Sequence, residues 1–155
     1  MAQRRPQDIG RAAENAVVAY LVDNGWSSAE RRRLRGRNDA GDITGTPGVC
    51  WEVKGGAAAK LASDGQVEEW LDEAEKERVA AGADVGVLVL QRKGIGTANT
   101  GRWWAILPGF SYEMLTGARD DHAPGMWSFG DRGPLRMHLS QVCALLRYAG
   151  YGSQP

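Results

Sequence analysis

The chain has 155 residues, which suffices for one domain with a hydrophobic core and leaves no room for a second large one. Hydrophobic residues make up 43% and charged residues 25% of it, and no apolar run approaches the length of a membrane span, so we expect one cytoplasmic domain over residues 1–155. Two distant cysteines without a Cys/His cluster argue against a disulfide framework and against a zinc site.

The formal net charge is zero, but the charges are segregated along the chain. Residues 64–78 carry seven acids and two bases. The rest of the chain therefore has 17 of the 19 bases and 12 of the 19 acids, which is a net charge of +5. Five of those bases lie between Arg31 and Arg37. Despite its neutral total, the chain therefore keeps a basic region suited to a nucleic-acid partner.

The first predicted element is a helix over residues 7–24, in which apolar residues recur at helical spacing. Glu14 lies on the apolar face of this helix, because apolar residues follow it by three, four and seven positions. A buried acid is costly unless it is paired or bound to a metal ion, so we interpret Glu14 as a candidate site residue. The alternative is an exposed acid in the first turn, where the helix dipole favours negative charge.

Residues 26–35 have the alternation of a strand, and the basic residues continue into the loop before Asp42. Such a run is either the solubilising edge of a sheet or a patch that contacts DNA phosphates beside a catalytic site. We favour the second interpretation. The candidate DNA-binding residues here are Arg31, Arg33, Arg35 and Arg37.

Residues 41–54 predict a hairpin whose turn, Gly45 to Gly48, brings Asp42 nearly opposite Glu52. In the second strand, Glu52 and Lys54 share a face with Cys50, while the apolar residues share the other face. Neighbouring carboxylates resist ionising together unless a cation lies between them, which predicts a hard divalent ion such as Mg²⁺. Lys54 would hold an attacking water or stabilise charge on a phosphate. The alternative is a surface hairpin with an exposed ion pair.

Asp42, nine intervening residues and then Glu52-Val53-Lys54 resemble the D…(D/E)-x-K signature of the restriction-endonuclease-like nuclease superfamily. Over about residues 8–107 the chain looks most like the archaeal-type Holliday junction resolvases and their phage relatives, and residues 108–155 would extend that core. The resemblance implies Asp42, Glu52 and Glu14 as ligands of Mg²⁺, for which Mn²⁺ can substitute. It also implies branched DNA as the substrate and a homodimer as the working form.

Residues 55–60 are predicted to be a flexible crossing, and a helix then runs from residues 63–66 to about Ala81 with its acids outside the apolar stripe. Gln66, followed by Trp70, resembles the Gln-x-x-x-aromatic pattern of many relatives and is a further catalytic candidate. Ser63-x-x-Gln66 is equally well a capping box that satisfies the helix end without any catalytic role.

Residues 85–90 are nearly continuously apolar, as expected for a central strand covered on both faces and placed next to the hairpin. A loop over residues 92–101, either lying over DNA or plain surface, and a partner strand over residues 102–107 should follow. Arg92, Lys93 and Arg102 complete the candidate DNA-binding set. Helices are expected over residues 110–115 and 139–149, with an irregular segment between them.

This order of elements predicts an α/β fold with a restriction-endonuclease-like mixed central β-sheet flanked by helices. The functional hypothesis is a magnesium-dependent, structure-selective endodeoxyribonuclease that resembles a Holliday junction resolvase. One alternative is another nuclease of the superfamily, restriction-like or a RecB-like exonuclease. Further alternatives are a non-catalytic DNA-binding module on the same fold and an adaptor that uses the acidic helix.

Overall fold

The computed structural model describes residues 3–33, 40–117 and 133–153. Five α-helices and one 3-10 helix accompany six strands in these ranges. In chain order they are α1 (Pro6–Asp23), β1 (Glu30–Arg31), β2 (Ile43–Thr44), β3 (Val49–Lys54), α2 (Gly56–Lys60), α3 (Asp64–Ala81), β4 (Val85–Leu90), the 3-10 helix (Thr97–Arg102), β5 (Trp104–Leu107), α4 (Gly109–Thr116), β6 (Leu135–His138) and α5 (Leu139–Tyr148). No helix in the described ranges is both long enough and apolar enough to cross a bilayer.

The central sheet is mixed and has the strand order β3-β4-β5-β6. β3 and β4 run parallel because α2 and α3 carry the chain back between them, whereas the β4–β5 and β5–β6 pairs are antiparallel. β1 and β2 form a separate short antiparallel pair. The prediction of an α/β chain with a mixed sheet flanked by helices is confirmed.

Alternation along β3 directs its side chains into two separate parts of the core. Val49, Trp51 and Val53 pack with the buried face of α1 and with α5. On the other face, α3 covers Leu88 and Leu90 of the neighbouring strand β4. All six residues of β4 are buried, which explains why its sequence is nearly continuously apolar.

The C-terminal part belongs to this core, although the sequence resemblance ends near residue 107. The helices predicted over residues 110–115 and 139–149 correspond to α4 and α5. Between them lies a strand that was not predicted, β6, which pairs with β5 through residues 135–138. Its sequence, Leu-Arg-Met-His, is too short to show a periodicity, and its strand conformation depends on a partner far away in the chain.

Two other local predictions were wrong. Residues 55–60 are not an open crossing, because three alanines support the short helix α2, and Gly56 donates its N–H to the Gln91 side chain at 2.8 Å. The strand expected over residues 26–35 is reduced to Glu30–Arg31, with Trp26 and Ala29 buried ahead of it. Arg35, at the end of the predicted strand, and Arg37, in the loop predicted after it, lie outside the described residues.

The segment between β4 and β5 also differs from the expected hairpin loop. It contains the 3-10 helix, and Arg102 ends this helix instead of beginning a strand. The Thr100 hydroxyl donates to the Thr97 carbonyl at 2.7 Å, and the Trp103 indole N–H donates to the Ile95 carbonyl at 2.9 Å. These bonds fold the segment against the core, so it is not an extended loop.

We expect Gly45→Ala to lower the free energy of unfolding by at least about 2 kcal/mol, measured by urea titration. Gly45 has φ +76°, and a β-carbon there would overlap the Ser28 carbonyl oxygen. Gly65→Ala is the matched control, because nothing lies within 4 Å of that position in α3 and alanine favours a helix by up to about 1 kcal/mol. Equal stability of the two variants would contradict this packing of the turn.

Candidate metal centre

Two backbone hydrogen bonds place Asp42 beside Glu52. The Asp42 N–H donates to the Trp51 carbonyl at 2.8 Å, and Asp42 Oδ2 accepts from the Val53 N–H at 2.7 Å. These bonds span the two residues that flank Glu52, so the predicted juxtaposition of Asp42 and Glu52 is present. The regular pairing of β2 is with β1, however, so the contact with β3 consists of these bonds and not of a full hairpin ladder.

The Glu52 carboxyl acts on the neighbouring Asp42 carboxyl, and both have raised pKa values. Burial is the main cause for Asp42, and the nearby Glu52 charge adds to it, so its pKa rises to about 7. Glu52 is only 7% exposed, and burial likewise raises its pKa to about 7. Such a pair holds a proton at neutral pH or binds a cation in its place.

A third carboxyl, which the sequence did not single out, completes this group. Glu77 of α3 is 8% exposed, and its hydrogen-bonding contact with Glu52 is the second cause, after burial, of the raised Glu52 pKa. The prediction that the acids of this helix lie outside its apolar stripe is therefore wrong for Glu77. A signal was present, because Glu77 follows Trp70 by seven and Ala74 by three positions and so falls on the same helix face.

Lys54 is the cation of the cluster. Its Nζ lies 2.6 Å from Glu52 Oε1 and 3.5 Å from Glu73 Oε2, and 5.6 Å from the centroid of the Trp70 ring. Burial alone would lower the pKa of Lys54, but the ion pairs with Glu52 and Glu73 outweigh it and raise the pKa. Since Glu52 is buried, this is not the exposed ion pair of a solvated hairpin.

Glu14 of α1 lies near Asp42 and borders the same cleft. Its carboxylate lies 3.6 Å from Arg31 Nη1, and its side chain is 19% exposed. Burial raises the pKa of Glu14, the Asp42 charge raises it further, and Arg31 opposes both. Glu14, Asp42, Arg31 and Arg33 line one cleft of about 500 Å³. The cleft thus brings two of the predicted metal ligands, Glu14 and Asp42, together with two of the predicted DNA-binding arginines, whereas Glu52 does not line it.

The remaining catalytic candidate, Gln66, lies in the first turn of α3. Its backbone N–H donates to the Ser63 hydroxyl at 3.2 Å, which is the helix cap, and its side-chain amide donates to Glu69 at 3.4 Å. These bonds account for Gln66 as a helix-start residue. Cys50 shares the buried face of Glu52, and burial raises the pKa of its thiol to about 12, so it is a neutral packing group.

The other basic candidates, Arg92, Lys93 and Arg102, do not line the cleft of Glu14 and Asp42. Arg92 lies against Trp104 and donates to the Arg102 carbonyl at 3.4 Å. Arg102 borders a different cleft, of about 770 Å³, between α1 and the 3-10 helix. Lys93 is exposed beside Arg92. The proposed DNA-binding residues are therefore distributed over more than one surface.

The carboxylates of Asp42 and Glu52 suit a hard divalent ion that also binds substrate. Within residues 3–33, 40–117 and 133–153, no three or more His, Cys, Asp or Glu side chains are arranged to hold a metal ion. Asp42 and Glu52 nevertheless offer adjacent carboxylate oxygens, and Mg²⁺ is commonly bound through one or two carboxylates with water and substrate phosphates as its other ligands. The residues therefore fit an ion shared with substrate better than a closed structural site.

Comparison of the chain with protein-family models, curated proteins and solved structures gives no match. The resemblance to nucleases therefore depends on the residues and geometry of the site. Those are the Asp42–Glu52 pair, the Lys54 ammonium at Glu52 and the approach of Glu14.

We expect Asp42→Asn to raise the free energy of unfolding by about 1–3 kcal/mol at pH 8 and to leave it nearly unchanged at pH 4. The pKa of Asp42 is about 7 in the folded protein against an ordinary 3.8, so the wild type loses stability as the pH rises from about 4 through about 7. Asparagine keeps an acceptor for the Val53 N–H without the charge.

Urea titrations at both pH values, without divalent ions, measure this difference. Asp72→Asn is the control, because Asp72 is an exposed acid of α3 whose removal should give no comparable gain at pH 8. The same change in stability at pH 4 and pH 8 for Asp42→Asn would contradict a raised pKa.

Proposed function

We propose that this protein is a magnesium-dependent endodeoxyribonuclease that cleaves branched DNA, as a Holliday junction resolvase does. The observation that carries the proposal is the contact between the Asp42 and Glu52 carboxyls, both with pKa values near 7, next to the Lys54 ammonium. Neighbouring buried carboxylates destabilise each other when both are charged, so such a pair is expected where a cation is bound during function.

Each side chain of the cluster has a definite part in this proposal. Asp42 and Glu52 would hold the Mg²⁺, and Glu14, whose pKa the Asp42 charge already raises, would complete the site once the ion is bound. Bound there, the ion would polarise a DNA phosphate and lower the pKa of a water molecule. Lys54 holds the attacking water or stabilises the negative charge that develops on the phosphate. Because its ammonium already lies at Glu52, little rearrangement is needed.

The DNA backbone would enter through the cleft lined by Glu14 and Asp42. Arg31 and Arg33 border this cleft, and Arg33 is exposed. Arginines there would contact phosphates and place the scissile bond without reading sequence. Arg31 forms an ion pair with Glu14, which partly neutralises its charge. We therefore assign the stronger phosphate contact to Arg33.

Further features of the proposal follow from the resemblance to resolvases. They are a restriction-endonuclease-like fold, action as a homodimer in the cytoplasm, and activity with Mn²⁺ in place of Mg²⁺. The mixed sheet with β3 at one end of the described strand order is compatible with that fold.

A second candidate is a DNA-binding module of the same fold without nuclease activity. The engagement of Lys54 by both Glu52 and Glu73 favours it, because a catalytic lysine must be available to water or phosphate. Failure to bind a divalent ion would support this candidate.

The purified protein should be incubated with four-way junction, flap, linear duplex and single-stranded DNA, each with and without Mg²⁺. We expect cleavage of the four-way junction only when the metal is present. Preferred degradation from the ends of linear DNA would favour an exonuclease instead, and metal-dependent cleavage of no substrate would favour the DNA-binding module.

We expect Asp42→Asn and Glu52→Gln to abolish cleavage and to keep or strengthen DNA binding, because each change removes a metal ligand and a charge that repels phosphate. Both variants should also lose the rise in melting temperature that Mg²⁺ gives the wild type. Asp72→Asn serves as the control on the exposed side of α3. Full activity of either site variant would exclude this metal centre.

Lys54→Met should slow cleavage by about 10²-fold or more with little loss of the Mg²⁺-dependent stabilisation, because the ammonium serves the transition state more than the resting ion. Single-turnover kinetics at saturating Mg²⁺ measure the effect. Glu73→Gln is the control, since it removes the exposed partner of Lys54 and leaves the contact with Glu52 intact. A normal rate for Lys54→Met would reduce Lys54 to a structural ion pair.

A further inference from the structure

A row of paired residues runs across one end of the sheet, from the candidate metal centre to β6. Lys54 pairs with Leu90, Leu90 with Trp104, and Trp104 with His138. Directly paired residues point to the same face, so Trp104 lies on the face of Lys54, two strands or about 10 Å away. Beside it lies a cleft of about 180 Å³.

Four basic residues and one indole border this cleft, which we name the Trp104 cleft. They are Lys60 at the end of α2, Arg92 and Lys93 after β4, Trp104 on β5, and Arg136 on β6. Three of the five lie on three different elements and the other two in the loop after β4, so the tertiary structure brings them together. Lys60, Lys93 and Arg136 are exposed.

The guanidinium of Arg92 is held in a defined position. It lies 4.1 Å from the centroid of the Trp104 ring, and its Nη1 lies 3.1 Å from His138 Nε2. Arg136 lies 5.6 Å from the same ring. A guanidinium stacked on an indole keeps its outer N–H groups for an anion and loses less freedom when the anion binds.

The positive charge of the Trp104 cleft is not neutralised by the described part of the chain. None of its four basic residues has a carboxylate oxygen within 4 Å there, whereas Arg31, Lys54 and Arg78 are each paired with an acid. Four cations around so small a volume give the cleft a positive potential that attracts an anion.

We propose that the Trp104 cleft binds phosphate groups of one DNA strand, at a distance from the candidate metal centre. The choice of DNA rests on the proposed function, whereas the anion-binding character rests on the cleft itself. Along the axis of duplex DNA one strand carries one phosphate per about 3.4 Å, so the separation of Lys54 and Trp104 corresponds to a rise of about three nucleotides. A strand held at both places would be fixed in direction as well as in position.

The test compares the double variant Lys93→Gln/Arg136→Gln with the matched double variant Arg5→Gln/Lys76→Gln, which removes two exposed charges elsewhere. Binding of a fluorescent four-way junction is measured by anisotropy at several salt concentrations in EDTA, so that no cleavage interferes. We expect the cleft variant to lower the slope of log affinity against log salt by about 0.9 for each lost phosphate contact. The control variant should keep the wild-type slope.

A wild-type salt slope for the cleft variant overturns the proposal. If that variant also loses thermal stability, the basic residues of the cleft serve to attach β6 to the sheet. Cleavage by the wild-type protein is assayed separately with Mg²⁺. A wild-type slope for the cleft variant together with junction cleavage by the wild type leaves the nuclease proposal standing without this cleft. A lowered slope without cleavage by the wild type supports the cleft and refutes the nuclease.

Arg92→Lys gives a second readout that does not remove charge. Lysine keeps the positive charge but cannot stack as a flat guanidinium on Trp104 or lie in the same way against His138. We expect the affinity for DNA to fall several-fold with the salt slope unchanged. Wild-type affinity in this variant would refute the positioning role of Trp104.

Discussion

The burial of Glu52 in the middle of β3 is the constraint on which the rest of the site depends. Its charge has little access to water, so other side chains must compensate it. Lys54 does so from the same strand, while Asp42, just before β2, and Glu77 of α3 bring further carboxyls. The cluster therefore exists only when the turn and α3 are both packed on β3.

This arrangement is unfavourable for the folded chain taken alone. Three carboxyls share one buried region with one ammonium, and the raised pKa values of Asp42 and Glu52 express that cost. The apolar core on the opposite face of β3 offsets this cost. There Trp51 is fully buried, and its ring is nearly perpendicular to the Trp26 ring with the two centroids 6.2 Å apart. A cation or a proton would relieve the repulsion, which links the stability of this protein directly to its proposed chemistry.

The distribution of charge also bears on how DNA would approach. Glu68, Glu69 and Asp72 are exposed on α3 and would repel phosphates from the outer side of this helix. Positive charge remains at the cleft of Glu14 and Asp42 and at the Trp104 cleft. A zero net charge is thus compatible with a nucleic-acid partner when the acids occupy a surface that the partner does not use.

Much of the local structure could be predicted from the sequence, because side-chain periodicity is a local property. The alternation in residues 49–54 determined which side chains of β3 enter the core, and the apolar run of residues 85–90 determined a strand buried on both faces. The turn before residue 49 also placed Asp42 beside Glu52. The roles of these residues in metal binding and catalysis stay predictions.

Only the tertiary structure decided which distant residues meet. The carboxyl of Glu77 reaches Glu52 because α3 packs across β3, and Lys54 is shared with Glu73 for the same reason. β6 is a strand because it pairs with the free edge of β5, and this pairing places Arg136 near Trp104. Such contacts join residues far apart in the chain, and their free energy depends on the packing of whole elements, which no local pattern of residues records.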